Sequence, residues 1–274
     1  MSSQPDIRTT VVAGFDPSAA ALSAARFAAD EAYRRGLSLT LVHGFTWPWT
    51  TNAGEFDTEV DPHARRRASR QLANAAQLIH EEYPGLPVRE RMVDGHPGEV
   101  LVEYSRQAAL LVVGHRGEGG FSELLAGSIA VHAAAHAHCP VVVVRGTPGK
   151  PDAPVMVGVD GSAESDRATG VAFEIAAARG APLVAVTVSP PGRSGPGSLA
   201  GDFDQYAARY PEVPARREMV LHQRSAAGGL IEAADGAALV VVGSRGVGGL
   251  RGLLLGSVGR ALIEHAPCPV AIVR

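Results

Sequence analysis

VVGHRGEGGFSELLAGSIAVHAAAHAHCPVVVVR, residues 112–145, returns 129 positions later as VVGSRGVGGLRGLLLGSVGRALIEHAPCPVAIVR, residues 241–274. Eighteen of the 34 positions are identical without a gap. Each copy opens on a short apolar run, passes through a glycine-studded loop, enters a helical stretch and ends on a second apolar run. Runs such as LLVVG and LVVVG have no polar alternation, so those strands are covered on both faces, as in a parallel sheet between helices. The fourth strand, a glycine loop, a helix and the fifth strand are therefore written twice.

The front ends repeat as well. VVAGFDPSAAALSAARFAADEA (residues 11–32) matches VMVGVDGSAESDRATGVAFEIA (residues 155–176) at a different offset, because the first repeat carries the longer insert between its second and third strands. In the first repeat strands are predicted at 9–14, 39–43, 88–93, 110–114 and 141–144, with helices near 18–35, 61–83, 98–107 and 128–138. In the second, strands are predicted at 155–159, 183–188, 218–222, 239–243 and 270–273, with a short helix near 199–210. GTPGKPDA (146–153) reads as a linker by its proline and glycine content. The alternation predicts an α/β chain of two tandem Rossmann-like, doubly wound domains, at 1–146 and 154–274 with 147–153 between them.

Composition narrows the function. The 274 residues are 46% apolar, 19% charged and 5% aromatic, with a formal charge of −3. That balance gives no electrostatic case for nucleic acid or an anionic membrane, and too few aromatics for a stacking platform. MSSQPDIRTT lacks the basic and apolar regions of a secretory leader, and no apolar run could span a bilayer. The two cysteines, Cys139 and Cys268, fall in register, each before a proline. They read as a buried thiol in each repeat of a cytoplasmic protein.

In a doubly wound sheet, ligands bind beyond the carboxyl ends of the strands, where the strand order reverses. Gly114 and Gly243 end the fourth strands, Gly117 and Gly246 follow three residues on, and Gly127-Ser128 and Gly256-Ser257 open the next helix. Glycine permits positive φ and brings a ligand against bare backbone. Successive amides with a helix N-terminus suit an anion. Ser128 and Ser257 can cap the helix or donate to a phosphate, and Arg116 and Arg245 are the cations early in each loop. Asp16 and Asp160 end the first strands beside the same crevice, where they either face a nucleoside or cap the first helix, a task for which Ser18 and Ser162 compete. Lys150, the sole lysine, lies in the linker. A P-loop is thereby excluded, and GFDPSA and GVDGSA replace the G-x-G-x-x-G of a dehydrogenase.

These residues resemble the ATP-binding branch of the universal stress protein family, marked by G-x2-G-x9-G-[ST] after the fourth strand. Gly114, Gly117, Gly127 and Ser128 meet it, as do Gly243, Gly246, Gly256 and Ser257. The resemblance spans nearly the whole chain. It implies a five-stranded parallel sheet in the order 3-2-1-4-5 in each repeat, with ATP, alone or with Mg2+, at the carboxyl edge. By the same resemblance Asp16 and Asp160 lie near the adenine. Leu39 and Leu183 of the second strands, and Val93 at the end of the third, line the base. Ribose and phosphates fall to the loop glycines, the helix-opening serine and the two residues after it, Ile129 with Ala130 and Val258 with Gly259. Fifth strands pair across a two-fold axis in the family, so the repeats could satisfy each other within one chain, or a homodimer could form. The first repeat keeps the family's V-x-G-x-P as Val93, Gly95 and Pro97. The second places His222, Arg224 and Ala226 there, so the first site is expected to be at least as good.

Three features stand apart. His132, His136, His138 and Cys139 could suggest zinc, but the second repeat keeps only His265 and Cys268, and the set reads as incidental. RRRASR (65–70) reads as a solvated face. Trp47 and Trp49 sit in the loop after the second strand, as a lid, a contact or loop packing. Three function classes remain: a binding module signalling through nucleotide occupancy with at most slow hydrolysis, a true ATPase or nucleotidyl transferase, and an interaction protein with empty loops.

Overall fold

The computed structural model describes residues 9–46, 63–117, 126–146, 152–189, 202–222, 225–247 and 254–274. In the first repeat the strands are β1 (Thr10–Gly14), β2 (Ser38–Phe45), β3 (Val88–Asp94), β4 (Ala108–Gly114) and β5 (Val141–Val144). Between them run α1 (Ala19–Arg34), α2 (Ala64–Glu82), α3 (Pro97–Tyr104) and α4 (Ser128–His136). The second repeat follows with β6 (Val155–Gly158), α5 (Ala163–Arg179), β7 (Leu183–Ser189), α6 (Phe203–Arg209), β8 (Ala215–Leu221), α7 (Ala226–Ala233), β9 (Leu239–Gly243), α8 (Ser257–His265) and β10 (Val270–Val273).

Both repeats are doubly wound α/β units, and their strands form one ten-stranded sheet in the order β3-β2-β1-β4-β5-β10-β9-β6-β7-β8. Every pairing within a repeat is parallel. The seam, β5 against β10, is antiparallel, with Val143 opposite Val270 and Val141 opposite Ile272. Alternate residues of the seam strands feed two cores, one on each face. Val142, Val144, Ala271 and Val273 join the core under α1, α2 and α5, while Val141, Val143, Val270 and Ile272 join the one under α3, α4, α7 and α8. Each core therefore runs through both repeats.

Helices α1 and α5 are alanine-rich where they meet the sheet, so their axes lie close to it. A Cβ on Gly114 would lie 2.8 Å from the carbonyl carbon of Ala20, and one on Gly243 would lie 2.9 Å from that of Glu164. These two motif glycines are fixed first by packing against the first turns of α1 and α5.

Polar contacts also bind the repeats. Arg145, at the end of β5, donates to the carbonyls of Leu262 (3.3 Å) and Ile263 (2.9 Å) in the last turn of α8. Arg274 reciprocates toward Ala135 at the end of α4 (2.6 Å). Each arginine places a cation where the other repeat's helix dipole favours one. Glu31 of α1 is 1% exposed and is clasped by Arg35 of its own helix and by Arg179 of α5, each at 2.7 Å. Removing one partner from such a buried cluster typically costs about 3–5 kcal/mol.

Most predicted elements recur with ends shifted by a residue or two. The larger shifts are in α3, which ends at Tyr104 rather than Gln107, and in β8, which starts at Ala215 rather than Glu218; β2 runs on to Phe45 rather than His43. β8 is a sheet edge whose residues are mostly exposed, so its start lacks the apolar signal of a covered strand. α4 stops at His136 because Ala137 is extended (ψ 154°). The start predicted for α2 at residues 61–62 and most of the linker, 147–151, lie outside the described residues.

Candidate functional site: two glycine-loop crevices

β1 and β4 are hydrogen-bonded neighbours, as are β6 and β9, so the acid after each first strand faces the loop after each fourth. Asp16 accepts from the Ser18 amide (3.1 Å) and hydroxyl, and the Ser18 hydroxyl accepts from the Ala21 amide (3.1 Å). Asp160 repeats this with the Ser162 amide (3.0 Å) and hydroxyl (2.6 Å), and Ser162 caps Ser165 (3.2 Å). The serines are thus the N-caps of α1 and α5, and the aspartates brace them.

Each aspartate also crowds its loop. A Cβ on Gly117 would fall 2.4 Å from Asp16 Oδ2, and one on Gly246 2.3 Å from Asp160 Oδ2. In the second repeat the Val247 amide donates to Asp160 Oδ2 at 3.0 Å. Burial pushes the Asp160 carboxyl up, but hydrogen bonds from the Ser162 hydroxyl and amide, Val247 and Ser165 outweigh it, and the group sits below its ordinary range.

The loops close on themselves. The Gly127 amide donates to the His115 carbonyl at 2.7 Å, and the Gly256 amide to the Ser244 carbonyl at 2.7 Å. Both glycines are helix N-caps with φ near −70° (−71° and −72°). None of Gly114, Gly117, Gly127, Gly243, Gly246 and Gly256 has a positive φ. The expectation that these glycines supply a left-handed backbone is therefore corrected: close approach excludes a side chain at the strand ends and beside the aspartates. Residues 118–125 and 248–253 of the loops lie outside the described residues.

What the loops deliver is two open helix ends. α1, α5 and α7 each receive a serine hydroxyl as cap, from Ser18, Ser162 and Ser225. α4 and α8 receive none. The first bonds back into them come from the Val131 and Arg260 amides, to the Gly127 (3.2 Å) and Gly256 (3.1 Å) carbonyls. The amides of Ser128, Ile129 and Ala130, and of Ser257, Val258 and Gly259, precede those bonds and carry the helix's partial positive charge. Ser128 and Ser257 are exposed and stand at the first helical position, so they do not cap.

The two crevices differ in charge. Arg116 is exposed and makes no ion pair among the described residues. Arg245 is tied to Glu164 in the first turn of α5 at 3.2 Å, and Glu164 is only 19% exposed. Ala20 occupies the corresponding place in the first repeat. Beside Arg116, burial pushes the His115 imidazole below its ordinary range, aided by the charges of Arg145 and Arg116 and opposed by its bond to the Val144 carbonyl. Ser244, buried, is its counterpart.

The assignments on the base side need correction. Leu39 and Leu183 are 0% exposed, near the amino ends of β2 and β7, within the core under α1, α2 and α5. They cannot line a crevice at the carboxyl edge. The residues that reach that edge on β2 are His43, whose Nδ1 lies 2.8 Å from the Phe15 carbonyl, and Gly44. Gly44 is a missed position: its Cβ would lie 2.6 Å from Pro97 Cα, so α3 packs onto bare backbone. Val188 stands there in the second repeat, 2.7 Å from where a Gly229 Cβ would be. Val93 is half-buried opposite Gly44, and Gly95 needs its glycine at φ 144°. Register places Val220, not His222, at the position of Val93, because the second loop is longer; Arg224 lies outside the described residues.

Both cysteines are buried, and burial raises the Cys268 thiol to about 11. The His132 and His136 rings stack at 4.4 Å. Among the described residues no cluster of three His, Cys, Asp or Glu is arranged to hold a metal. Arg65 of the basic run pairs with Asp94 and lies over the Phe45 ring. Trp47 and Trp49 lie outside the described residues. No helix among the described residues is long and apolar enough to cross a membrane.

The comparisons with known proteins agree on the family. Its model, "Universal stress protein family", matches residues 8–145 and 153–274. Universal stress protein Rv2005c of Mycobacterium tuberculosis is 35% identical over 298 residues, 99% of each chain. Universal stress protein Rv2623 of the same organism is 36% identical over 294 residues, 96% of each chain. In three dimensions, a universal stress protein from Archaeoglobus fulgidus covers 98% of this chain and 97% of its own with a TM-score of 0.76 at 18% identity, a likeness of fold. The repeated glycine loops, the mirrored halves and these matches together place the chain in the universal stress protein family, as a tandem of two of its domains.

Proposed function

We propose that this chain is an ATP-binding, cytoplasmic stress-response protein that signals through nucleotide occupancy, and that its first repeat holds the nucleotide. One observation carries the reading. Serine hydroxyls cap α1, α5 and α7; of the five helices that receive no side-chain cap among the described residues, α4 and α8 are the two fed by the glycine loops, with glycine itself at the cap. Three amides and an exposed serine hydroxyl stand there, with an arginine whose backbone adjoins the cap glycine, a donor set that fits a polyphosphate. Gly114, Gly117, Gly127, Ser128, Ile129, Ala130 and Arg116 would hold the phosphates and ribose. Asp16 and Val93, with Gly44 in place of Leu39, would bound the base. The second repeat offers Gly243, Gly246, Gly256, Ser257, Val258, Gly259 and Asp160, but spends Arg245 on Glu164.

Hydrolysis in this reading is slow at most. The aspartates beside the loops brace the helix cap and the loop, so neither is poised as a base toward a γ-phosphate. The β5–β10 seam does within one chain what a pairing of two single-domain copies would do between chains. The domain limits follow as 1–146 and 154–274. The test is the nucleotide content of protein purified without added ligand, by mass and moles per chain. We expect an adenine nucleotide at about one per chain. Protein that is empty, and stays empty when dialysed against millimolar ATP, overturns the proposal.

A further inference from the structure

On the far side of the first glycine loop's strand end, and bordering the second loop through Val273, which pairs with Gly243, a cavity of about 560 Å³ opens between the two repeats. One wall is the turn from α4 into β5 (Ala137, His138, Cys139 and Pro140); the other is α5 and α6 of the second repeat, with Arg274 beneath. At the equivalent positions of the first repeat, α1 carries bulkier side chains. Arg26 stands where α5 has Gly170, and Phe27 where it has Val171. Arg26 is locked to Glu82 of α2 by paired bonds at 2.6 and 2.9 Å, and Phe27 is 9% exposed beneath the Arg179 guanidinium. In the second repeat both side chains are cut back and the seven-residue α6 replaces the 19-residue α2.

Its lining has a definite chemistry. Arg167, Arg209 and Arg274 supply three guanidinium groups against one carboxylate, Glu174. Arg274 is committed to the α4 carbonyls. Arg167 makes only a 3.4 Å contact with Glu164, and Arg209 lies over the Tyr210 ring with no carboxylate partner among the described residues. Val171, Val273 and the Tyr206 ring give the walls an apolar part. We propose that this cavity is a second ligand site, for a small organic phosphate with a ring-shaped apolar body. The ring would lie against Tyr206 and Val171, and the phosphate between Arg167 and Arg209, whose forked donors match it. The volume is in the usual range for small-molecule pockets, about 300–1,000 Å³, and such pockets favour junctions between domains.

The probe is phenyl phosphate, titrated into the full chain by amide NMR and calorimetry, with phenol and inorganic phosphate as the ring-only and anion-only arms. Shifts should centre on residues 137–140, 167–174 and 206–209, and phenyl phosphate should bind about tenfold or more tighter than either arm. Arg167→Glu with Arg209→Glu, both at exposed positions, should cost about tenfold or more in affinity. Val171→Phe, which restores the first repeat's residue, should abolish binding by filling the space. Gly117→Glu should leave it unchanged, which separates this site from the proposed ATP site. Shifts confined to the glycine loops, binding of phenol as tight as that of phenyl phosphate, or affinity unmoved by both the charge reversal and Val171→Phe would each overturn the proposal.

Discussion

The two glycine-loop crevices share an architecture and differ in what fills it. In both, an aspartate braces a serine cap and crowds the loop glycine, the loop closes through a 2.7 Å amide bond, and a helix opens without a cap. In the first crevice Ala20, Gly44 and an Arg116 with no ion pair among the described residues leave room and positive charge. In the second, Glu164 and Val188 stand in the first two places, and Arg245 is paired. The backbone scaffold is thus duplicated while the side chains facing it have diverged. The bare motif registers the scaffold; affinity is set by residues outside it.

The sharpest way to break the comparison is to block one loop at a time. Gly117→Glu places a side chain where Asp16 Oδ2 already stands and adds a like charge beside the proposed phosphates. Two charges about 4 Å apart at a surface dielectric of about 20 repel by roughly 4 kcal/mol, roughly a thousandfold in affinity. Calorimetric titration with ATP should lose its tight phase in this variant and keep it in Gly246→Glu. Equal losses in both would mean the crevices bind alike, and full binding by Gly117→Glu would mean that the phosphates lie elsewhere.

A smaller effect tests the cause of the asymmetry. Glu164→Ala removes a carboxylate from the second crevice and releases Arg245, and Ala20→Glu installs that carboxylate in the first. A charge at such range in well-hydrated surroundings is worth about 1 kcal/mol, so each exchange should move ATP affinity by roughly fivefold to tenfold, in opposite directions. If Glu164→Ala leaves the second site as weak as before, Val188 and the longer loop after β8 are the obstacle.

The sequence made the scaffold readable because a repeat checks itself. The exact ends of β5, β9 and β10 follow from apolar runs covered on both faces, while the strand order within each repeat comes from the family resemblance that the glycine loops carry. Ser18 and Ser162 could be recognised as cap candidates from type and position. Leu39 and Leu183 were misplaced because a strand's depth cannot be counted without its end, and β2 runs two residues past the apolar signal through His43 into Gly44 and Phe45. Gly44 itself gives no signal in one chain, since its need comes from Pro97, 53 residues away. The Glu164–Arg245 pair spans 81 residues and depends on how closely α5 packs on β9, which spacing does not reveal.

The smallest expected effect concerns acid. The folded-state carboxyl of Asp160 is held below its unfolded value, so its anchoring of the second loop is fully present above about pH 4 and is lost as pH falls through the depressed value. Amide exchange at Val247, which donates to Asp160, should therefore stay slow through mildly acid pH and rise only below the ordinary carboxylate range. In Asp160→Asn the amide oxygen can still accept a bond but carries no charge, so protection at Val247 should be weaker at neutral pH and should not fall further with acid. Exchange in the unsubstituted chain that accelerates between pH 7 and 5 would point to a histidine as the titrating group. The loop would then be held by something other than this carboxylate, and the shared aspartate would no longer explain why both loops begin with a glycine at that spot.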